Sequence, residues 1–146
     1  MIEKSQRTDK QIAQIAEIER RCFATPWTEE QIKSSDNSTV FFIAKVGEKA
    51  VGYGGMYTVL DEGYVTNIGV LPEFRKQGIG AKIVNSLMDF SIKNNLSFLS
   101  LEVRISNLAA INLYKKFGFE EQGKRKNFYS NPKEDALIMT RFLKNG

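Results

Sequence analysis

Hydrophobic and polar positions change rhythm several times along the chain, and each change marks an element. From Thr8 onward the spacing is helical: Ile12, Ile15, Ala16, Glu19 and Cys22 share one face, an apolar stripe with one polar interruption. Thr8 with Gln11 three positions later has the pattern of a capping box. A second such pair, Thr28 and Gln31, follows Pro26-Trp27 and predicts a short helix to about Ser35. The rhythm then shortens. Thr39 to Val46 is rich in β-branched and aromatic residues and ends at the turn signal Gly47-Glu48-Lys49. Ala50 to Leu60 resumes as strand, and Gly52, Gly54 and Gly55 within it predict a bulge or a close backbone approach. Asp61-Glu62-Gly63 predicts the next turn and Tyr64 to Leu71 the next strand, so the three runs form an antiparallel meander.

After Pro72 the helical period returns with Ile79, Ile83, Val84, Leu87, Met88 and Ile92, and stops at Asn94-Asn95. Phe98 to Val103 alternates as a strand, a helix runs from about Asn107 to Phe117 and is stopped by Gly118, and strands are predicted at Phe119 to Phe128 and Asp135 to Phe142. Strand Tyr64–Leu71, the helix from Gly78 and strand Phe98–Val103 make a βαβ unit, which predicts that the two strands are parallel neighbours. The fold class is α/β: a mixed sheet of about six to seven strands with helices on both faces. No linker or repeat divides the chain, so residues 1–146 are expected to form one domain.

Composition narrows the chemistry. Of 146 residues, none is histidine and only Cys22 is cysteine. Ser-His-Asp and Cys-His nucleophilic sites are thereby excluded, as are imidazole metal sites, thiolate zinc clusters and internal disulfides, and no metal is expected. Proton chemistry is left to carboxylates, Tyr, Lys, Arg or water. Met1 to Lys10 lacks the apolar core of a signal peptide, and the longest apolar run, Val40 to Ala44, is far too short to span a membrane. A cytoplasmic location without membrane association is expected. The net charge is +4, and much of the excess is local, at Lys115, Lys116, Lys124, Arg125 and Lys126: a solvated basic face or a surface for an anionic partner.

The segment Arg75-Lys76-Gln77-Gly78-Ile79-Gly80-Ala81 lies between a strand and an amphipathic helix. Glycines permit close backbone approach, the first helical N–H groups are unpaired and the helix dipole favours negative charge, so this is either an anion site or simply a tight turn. It is not a Walker loop, because Ala81-Lys82 follows Gly80. Nor is it a dinucleotide fingerprint, because Ile83 stands where a third glycine is needed.

The run Arg-x-x-Gly-x-Gly from Arg75 to Gly80 resembles the pyrophosphate loop of the GNAT superfamily of acetyl-CoA-dependent N-acetyltransferases. The run Leu101-Glu102-Val103-Arg104-Ile105-Ser106-Asn107, with Ala110-Ile111, Leu113-Tyr114 and Gly118-Phe119, resembles its RimI-type branch, which acetylates the N-terminal alanine of a small-subunit ribosomal protein. Phe23-x-x-Pro26-Trp27-Thr28, Asn67-Ile68-Gly69-Val70, Arg125 to Tyr129 and Glu134-Asp135-Ala136 extend the likeness over about residues 17 to 142. The resemblance implies a GNAT fold in which the parallel strands splay apart and admit the pantetheine of coenzyme A. It implies pairing of that arm with Ile68, Gly69 and Val70, with an N–H near Val70 as oxyanion donor. It further implies a diphosphate held by Arg75, Lys76, Gln77, Gly78, Ile79, Gly80 and Ala81, and contact from Asn107. Glu102 would be the general base and Tyr114 the general acid. Two positions depart from the family pattern: Gly69 stands where Ala is common, and Phe128 replaces the first of two tyrosines lining the acceptor groove.

The residues themselves leave alternatives open. Glu102, on a strand of Leu, Ser, Phe and Val, is expected to be partly buried and so a better base, or else to pair with Arg104 or a loop lysine. Tyr114 lies two turns beyond Asn107 and could protonate a departing thiolate, or be an interior aromatic. Asn107 could cap its helix, contact the cofactor, or both. Phe23 and Trp27 could shape the acceptor side or belong to the core. An α-amino group titrates near 7.7–8.0 and a lysine near 10.4, so freeing the α-amine at neutral pH is easier by about 3.3–3.7 kcal/mol. A lone carboxylate base therefore suits an N-terminal amine, attacking directly in a ternary complex. The resemblance implies the N-terminal segment of a ribosomal protein as partner, without direct nucleic-acid binding. The alternatives are an acetyltransferase acting on a small-molecule amine or a lysine, a basic RNA-binding module, and a non-catalytic coenzyme A sensor.

Overall fold

In the computed structural model, which describes residues 1–143, a three-residue strand β1 (Ile2–Lys4) precedes the first helix. The sequence pattern does not predict β1, because three residues are too few to establish a period. Helix α1 (Asp9–Cys22) and helix α2 (Glu29–Ser34) both begin at closed capping boxes. At the first, the Gln11 N–H donates to Thr8 Oγ1 (3.2 Å) and the Thr8 N–H to Gln11 Oε1 (3.3 Å). The second repeats this with Thr28 and Gln31 at 3.1 and 2.9 Å. Each box satisfies two amides that the first helical turn leaves without acceptors.

The meander is β2 (Thr39–Val46), β3 (Lys49–Val59) and β4 (Glu62–Val70), all antiparallel. Its turns are tighter than the sequence suggested: Gly47-Glu48 and Leu60-Asp61 make them, and Lys49, Glu62 and Gly63 already belong to strands. A 3-10 turn at Pro72–Phe74 leads to α3 (Ile79–Lys93), β5 (Phe98–Arg104) and α4 (Leu108–Lys116). A final hairpin, β6 (Glu120–Ser130) and β7 (Lys133–Phe142), completes the sheet. Both of its strands begin or end a few residues away from the predicted bounds.

The seven strands form one mixed sheet in the order β1-β2-β3-β4-β5-β7-β6. A core of Met56, Ile83, Leu87, Leu99, Leu101 and Ile111 fills the face covered by α3 and α4. Ile12, Ile15, Ile32, Phe41, Ile43 and Tyr53 fill the face covered by α1 and α2. The glycines of β3 do what their type permits. A side chain at Gly54 would collide with Ile83 of α3, so the bare backbone is what lets that helix lie close to the sheet. A bulge does lie against these glycines, but its extra residue is on the neighbouring strand β4: Gly54 pairs with Ile68 and Met56 with Val65, so Thr66 and Asn67 together oppose Gly55.

The predicted parallel pair is present, but it is short. Only Glu62, Gly63 and Tyr64 pair with Phe98, Leu99 and Ser100, and the ladder then ends although both strands continue. The two strands diverge at the bulge.

Candidate active site

Beyond Tyr64 and Ser100, residues Val65 to Ile68 of β4 and Leu101 to Arg104 of β5 face each other across a cavity of about 510 Å³. Cys22 to Thr25 close it on the α1 side and Phe128 to Pro132 on the β6–β7 side, while Asn107 and Tyr114 reach it from α4. The peptide groups of β4 inside this wedge follow from strand alternation. The Leu71 N–H donates to the Val51 carbonyl at 2.8 Å, and Gly69 opposite Tyr53 shares that orientation toward β3. The N–H groups of Ile68 and Val70 therefore point the other way, toward the gap that β5 vacates. Gly69 turns its peptide groups to β3. What it offers the site is space, since a Cβ there would lie 3.3 Å from Cys22 Sγ and from the Phe23 ring.

At the start of α3 the backbone curls through two left-handed residues, Lys76 (φ 63°) and Gly78 (φ 79°), the latter the helix N-cap. Lys82 is the first residue whose N–H bonds back along the helix, to the Gly78 carbonyl at 3.2 Å. The N–H groups of Ile79, Gly80 and Ala81 therefore lack helical acceptors, no side chain caps them, and the first turn carries no acidic residue. This concavity of amides, with Lys76 and Lys82 beside it, fits a diphosphate. Arg75 is less free than a mobile surface cation, because its Nε donates to the Val70 carbonyl at 2.9 Å. Gln77 reaches back to the Glu73 carbonyl at 3.5 Å.

Glu102 occupies the middle of the wedge on the sheet face opposite Leu101 and Val103, with its side chain 30% exposed. Its ion-pair partner is neither Arg104 nor a lysine but Arg125 of β6, at 3.3 Å. Arg104 is engaged elsewhere. It donates to the Pro132 carbonyl (2.8 Å), pairs with Glu134 (3.2 Å) and lies 4.4 Å from the centre of the Tyr129 ring, which pins the β6–β7 turn against the site. Glu134 accepts the Ser106 N–H as well, and those bonds, with Arg104, hold its carboxyl below the ordinary range.

Tyr114 is 8% exposed, packed 5.7 Å from Phe119, and its hydroxyl makes no hydrogen bond with another described residue. Burial, reinforced by the neighbouring Tyr129 phenol, pushes its pKa well above the ordinary tyrosine value. Tyr129 is half-buried and shifted upward, first by burial and then by Glu102, and it lines the same cavity as the two expected catalytic groups. Asn107 both caps and lines: its Oδ1 accepts the Ala110 N–H at 3.2 Å while the residue borders the cavity. Cys22 borders it too. Burial raises its thiol pKa, and the sulfur lies 3.4 Å from the Val70 carbonyl, which argues against a thiolate nucleophile. Phe23 lines the cavity, whereas Trp27 packs against the α1–α2 core. Phe128 sits at the rim, 47% exposed, edge-on to Tyr129 with Arg125 over its ring.

Three features of the site were not legible as such. Arg125 as the partner of Glu102 depends on β6 lying beyond β7, and the grip of Arg104 on the turn depends on the same hairpin. Asn67 lines the cavity and is tied to Glu19, which is fully buried. The one available signal was Glu19 itself, a carboxylate in the middle of an apolar stripe.

The model of the acetyltransferase (GNAT) family matches residues 12–119. The chain is 38% identical over 125 residues, 84% of each protein, to the [ribosomal protein bS18]-alanine N-acetyltransferase of Escherichia coli K12. A Bacillus subtilis protein, provisionally assigned the same name, is 39% identical over 132 residues, 88% of this chain and 87% of that protein. The crystal structure of the Escherichia coli ribosomal-protein-S18-alanine N-acetyltransferase superimposes with a TM-score of 0.89 at 33% identity, covering 100% of this chain and 96% of that one. Ard1 of Thermoplasma volcanium has the same fold, with a TM-score of 0.86 at 24% identity. With a split parallel pair, an amide cradle at α3 and a family match over most of its length, the chain belongs to the GNAT acetyltransferase family.

Proposed function

We propose that the chain is an acetyl-CoA-dependent N-acetyltransferase that modifies the N-terminal alanine of ribosomal protein bS18, acting in the cytoplasm. The observation that carries this reading is the 38% identity, over 84% of both proteins, to an enzyme named for that activity. Among the described residues no helix is long and apolar enough to cross a membrane, which is compatible with a substrate met at or near the ribosome.

Acetyl-CoA supplies an acyl thioester, and the chain's residues divide the remaining work. The amides of Ile79, Gly80 and Ala81 bind the diphosphate, and the wedge-facing peptide groups of Ile68 align the arm that bears the thioester. The Val70 N–H donates to the thioester oxygen as negative charge builds there; removing one such donor typically costs about 10²–10³ in rate. Glu102 receives a proton from the α-amine, directly or through one water. Arg125, its partner, has a side chain 58% exposed and can swing aside or help hold the carboxylate in place.

Tyr114 supplies a hydroxyl on the opposite side of the wedge. Its raised pKa keeps it protonated across neutral and mildly alkaline pH, so the donor is always present. The same shift makes complete proton transfer to a thiolate unfavourable, since thiols titrate near 8.5. The role its environment supports is therefore a hydrogen bond to the departing sulfur, strengthening as charge develops.

Mass spectrometry of ribosomal proteins from cells lacking the gene tests the acceptor. An unacetylated amino-terminal alanine on bS18 is expected, and restoration of the gene should restore the acetyl group. A fully acetylated bS18 in those cells would refute this acceptor and favour a lysine or a small amine.

A further inference from the structure

Glu19 is the one acidic side chain among the described residues with no exposed surface, and none of the ion pairs includes it. Three donors hold it instead: the Trp27 N–H to Oε1 at 2.8 Å, and Asn67 Nδ2 (3.0 Å) and the Tyr53 hydroxyl to Oε2. A buried carboxylate without a cation is costly to keep. The arrangement therefore calls for an account beyond packing, and Asn67 provides one.

Asn67 turns its NH₂ toward Glu19, whose Oε2 accepts from it at 3.0 Å. Asn67 Oδ1, which bonds to no other described residue, is what remains to face the cavity that Asn67 lines. The β4 bulge decides the level at which this happens. Tyr64 pairs with Ser100, and because Thr66 and Asn67 together oppose Gly55, the extra residue brings Asn67 level with Glu102 across the wedge. Both side chains lie on the α1 side of the sheet, since Asn67 reaches Glu19 there and Glu102 points away from the core that takes Leu101 and Val103.

We propose that Asn67 is an amine-binding residue and Glu19 the positioning residue that fixes it, so that Oδ1 accepts an N–H of the incoming α-amine opposite Glu102. The neutral α-amine that attacks carries two protons, of which the product amide keeps one. Glu102 takes the proton that is lost and Asn67 holds the one that stays, which directs the lone pair along the wedge toward the thioester. Through the Trp27 N–H, Glu19 also fixes the loop that closes the acceptor side. This inference rests on the N-terminal acetyltransferase reading.

The test is steady-state kinetics with an alanine-initiated peptide and acetyl-CoA, alongside calorimetric binding of coenzyme A. Asn67→Ala should raise the peptide KM at least tenfold and leave the acetyl-CoA KM and the coenzyme A Kd within twofold. Glu19→Gln puts an NH₂ where Oε2 stood, so Asn67 must reverse its amide and show a donor to the amine; the same peptide defect is expected. In the double variant Glu19→Gln/Asn67→Asp, one oxygen of the new carboxylate accepts from the glutamine and the other again faces the wedge, and the peptide KM should return to within threefold of wild type. A residue that merely supports the fold would lower Tm without separating the two KM values and without that rescue. Should Glu19→Gln fail to fold, Asn67→Asp alone sets two acceptors face to face and should reproduce the Asn67→Ala defect. An unchanged peptide KM in Asn67→Ala overturns the amine contact, and a folded double variant that stays defective overturns the positioning by Glu19. Wild-type protein that binds coenzyme A but does not acetylate the peptide overturns the acceptor reading beneath both, a failure visible before any variant is compared.

Discussion

Replacing Tyr114 by Phe removes one oxygen and little else, which makes it the cleanest probe of the wedge. The ring would keep its contact with Phe119 at 5.7 Å, and the lost hydroxyl has no hydrogen-bond partner among the described residues. The fold should therefore hardly register the change, or gain slightly, because no protein partner is left unsatisfied. Catalysis should register it strongly. A preorganised donor to developing charge is worth about 2.7–4 kcal/mol, or 10²–10³ in kcat. The assay is release of coenzyme A thiol on mixing acetyl-CoA with an alanine-initiated peptide, checked by the mass of the product and run from pH 7 to pH 9. Because burial holds the phenol protonated over that range, the ratio of wild-type to variant kcat should be the same at both ends. A kcat within threefold of wild type would refute the donor role. A ratio that shrinks toward pH 9 would show that the hydroxyl titrates there, contrary to the environment described.

Glu102→Gln should lower kcat by about 10²–10⁴ while coenzyme A binds as before, and unchanged turnover would remove Glu102 from proton transfer. Gly78→Ala meets no atom within 4 Å, so its cost is conformational, about 1–2 kcal/mol for a left-handed alanine. Coenzyme A affinity should fall with it while the peptide KM holds, and an unaffected Kd would detach the loop from the diphosphate. Tyr53 and Tyr114 both have folded pKa values raised chiefly by burial, above the unfolded value near 10. Their stabilisation is complete below pH 10 and is lost as pH rises beyond it, by about 1.4 kcal/mol per pH unit per phenol until the folded form titrates. Urea midpoints between pH 9 and pH 11 should fall accordingly, less steeply in Tyr114→Phe; parallel slopes would contradict the assignment.

Local patterns carried much of this protein on their own. Thr8 with Gln11 and Thr28 with Gln31 announced two helix starts because a capping box is closed by neighbours within four residues. The periodicity from Ile79 to Ile92 specified α3, and the βαβ order around it required β4 and β5 to be parallel. The runs around Gly78 and Glu102 carried the family as well, since a glycine loop before a helix and a strand-borne carboxylate are written over short stretches of chain. The absence of histidine narrowed the proton chemistry before any fold was known.

What the chain did not disclose by itself depends on residues far apart in sequence. The parallel ladder stops after three pairs because a bulge at Thr66 and Asn67 turns β4 away from β5, and a bulge is defined only against a partner strand. Arg125 reaches Glu102 because β7 lies between β5 and β6, an order no local pattern specifies. Glu19 reads as a flaw in an apolar stripe until α1 is laid on the sheet, where Tyr53, Asn67 and the Trp27 amide converge on it from three segments. Short-range capping, turn and periodicity signals are energies between neighbours and can be read in order along the chain. The wedge, its ion pair and its buried carboxylate are energies between surfaces, and they exist only once the sheet has brought those surfaces together.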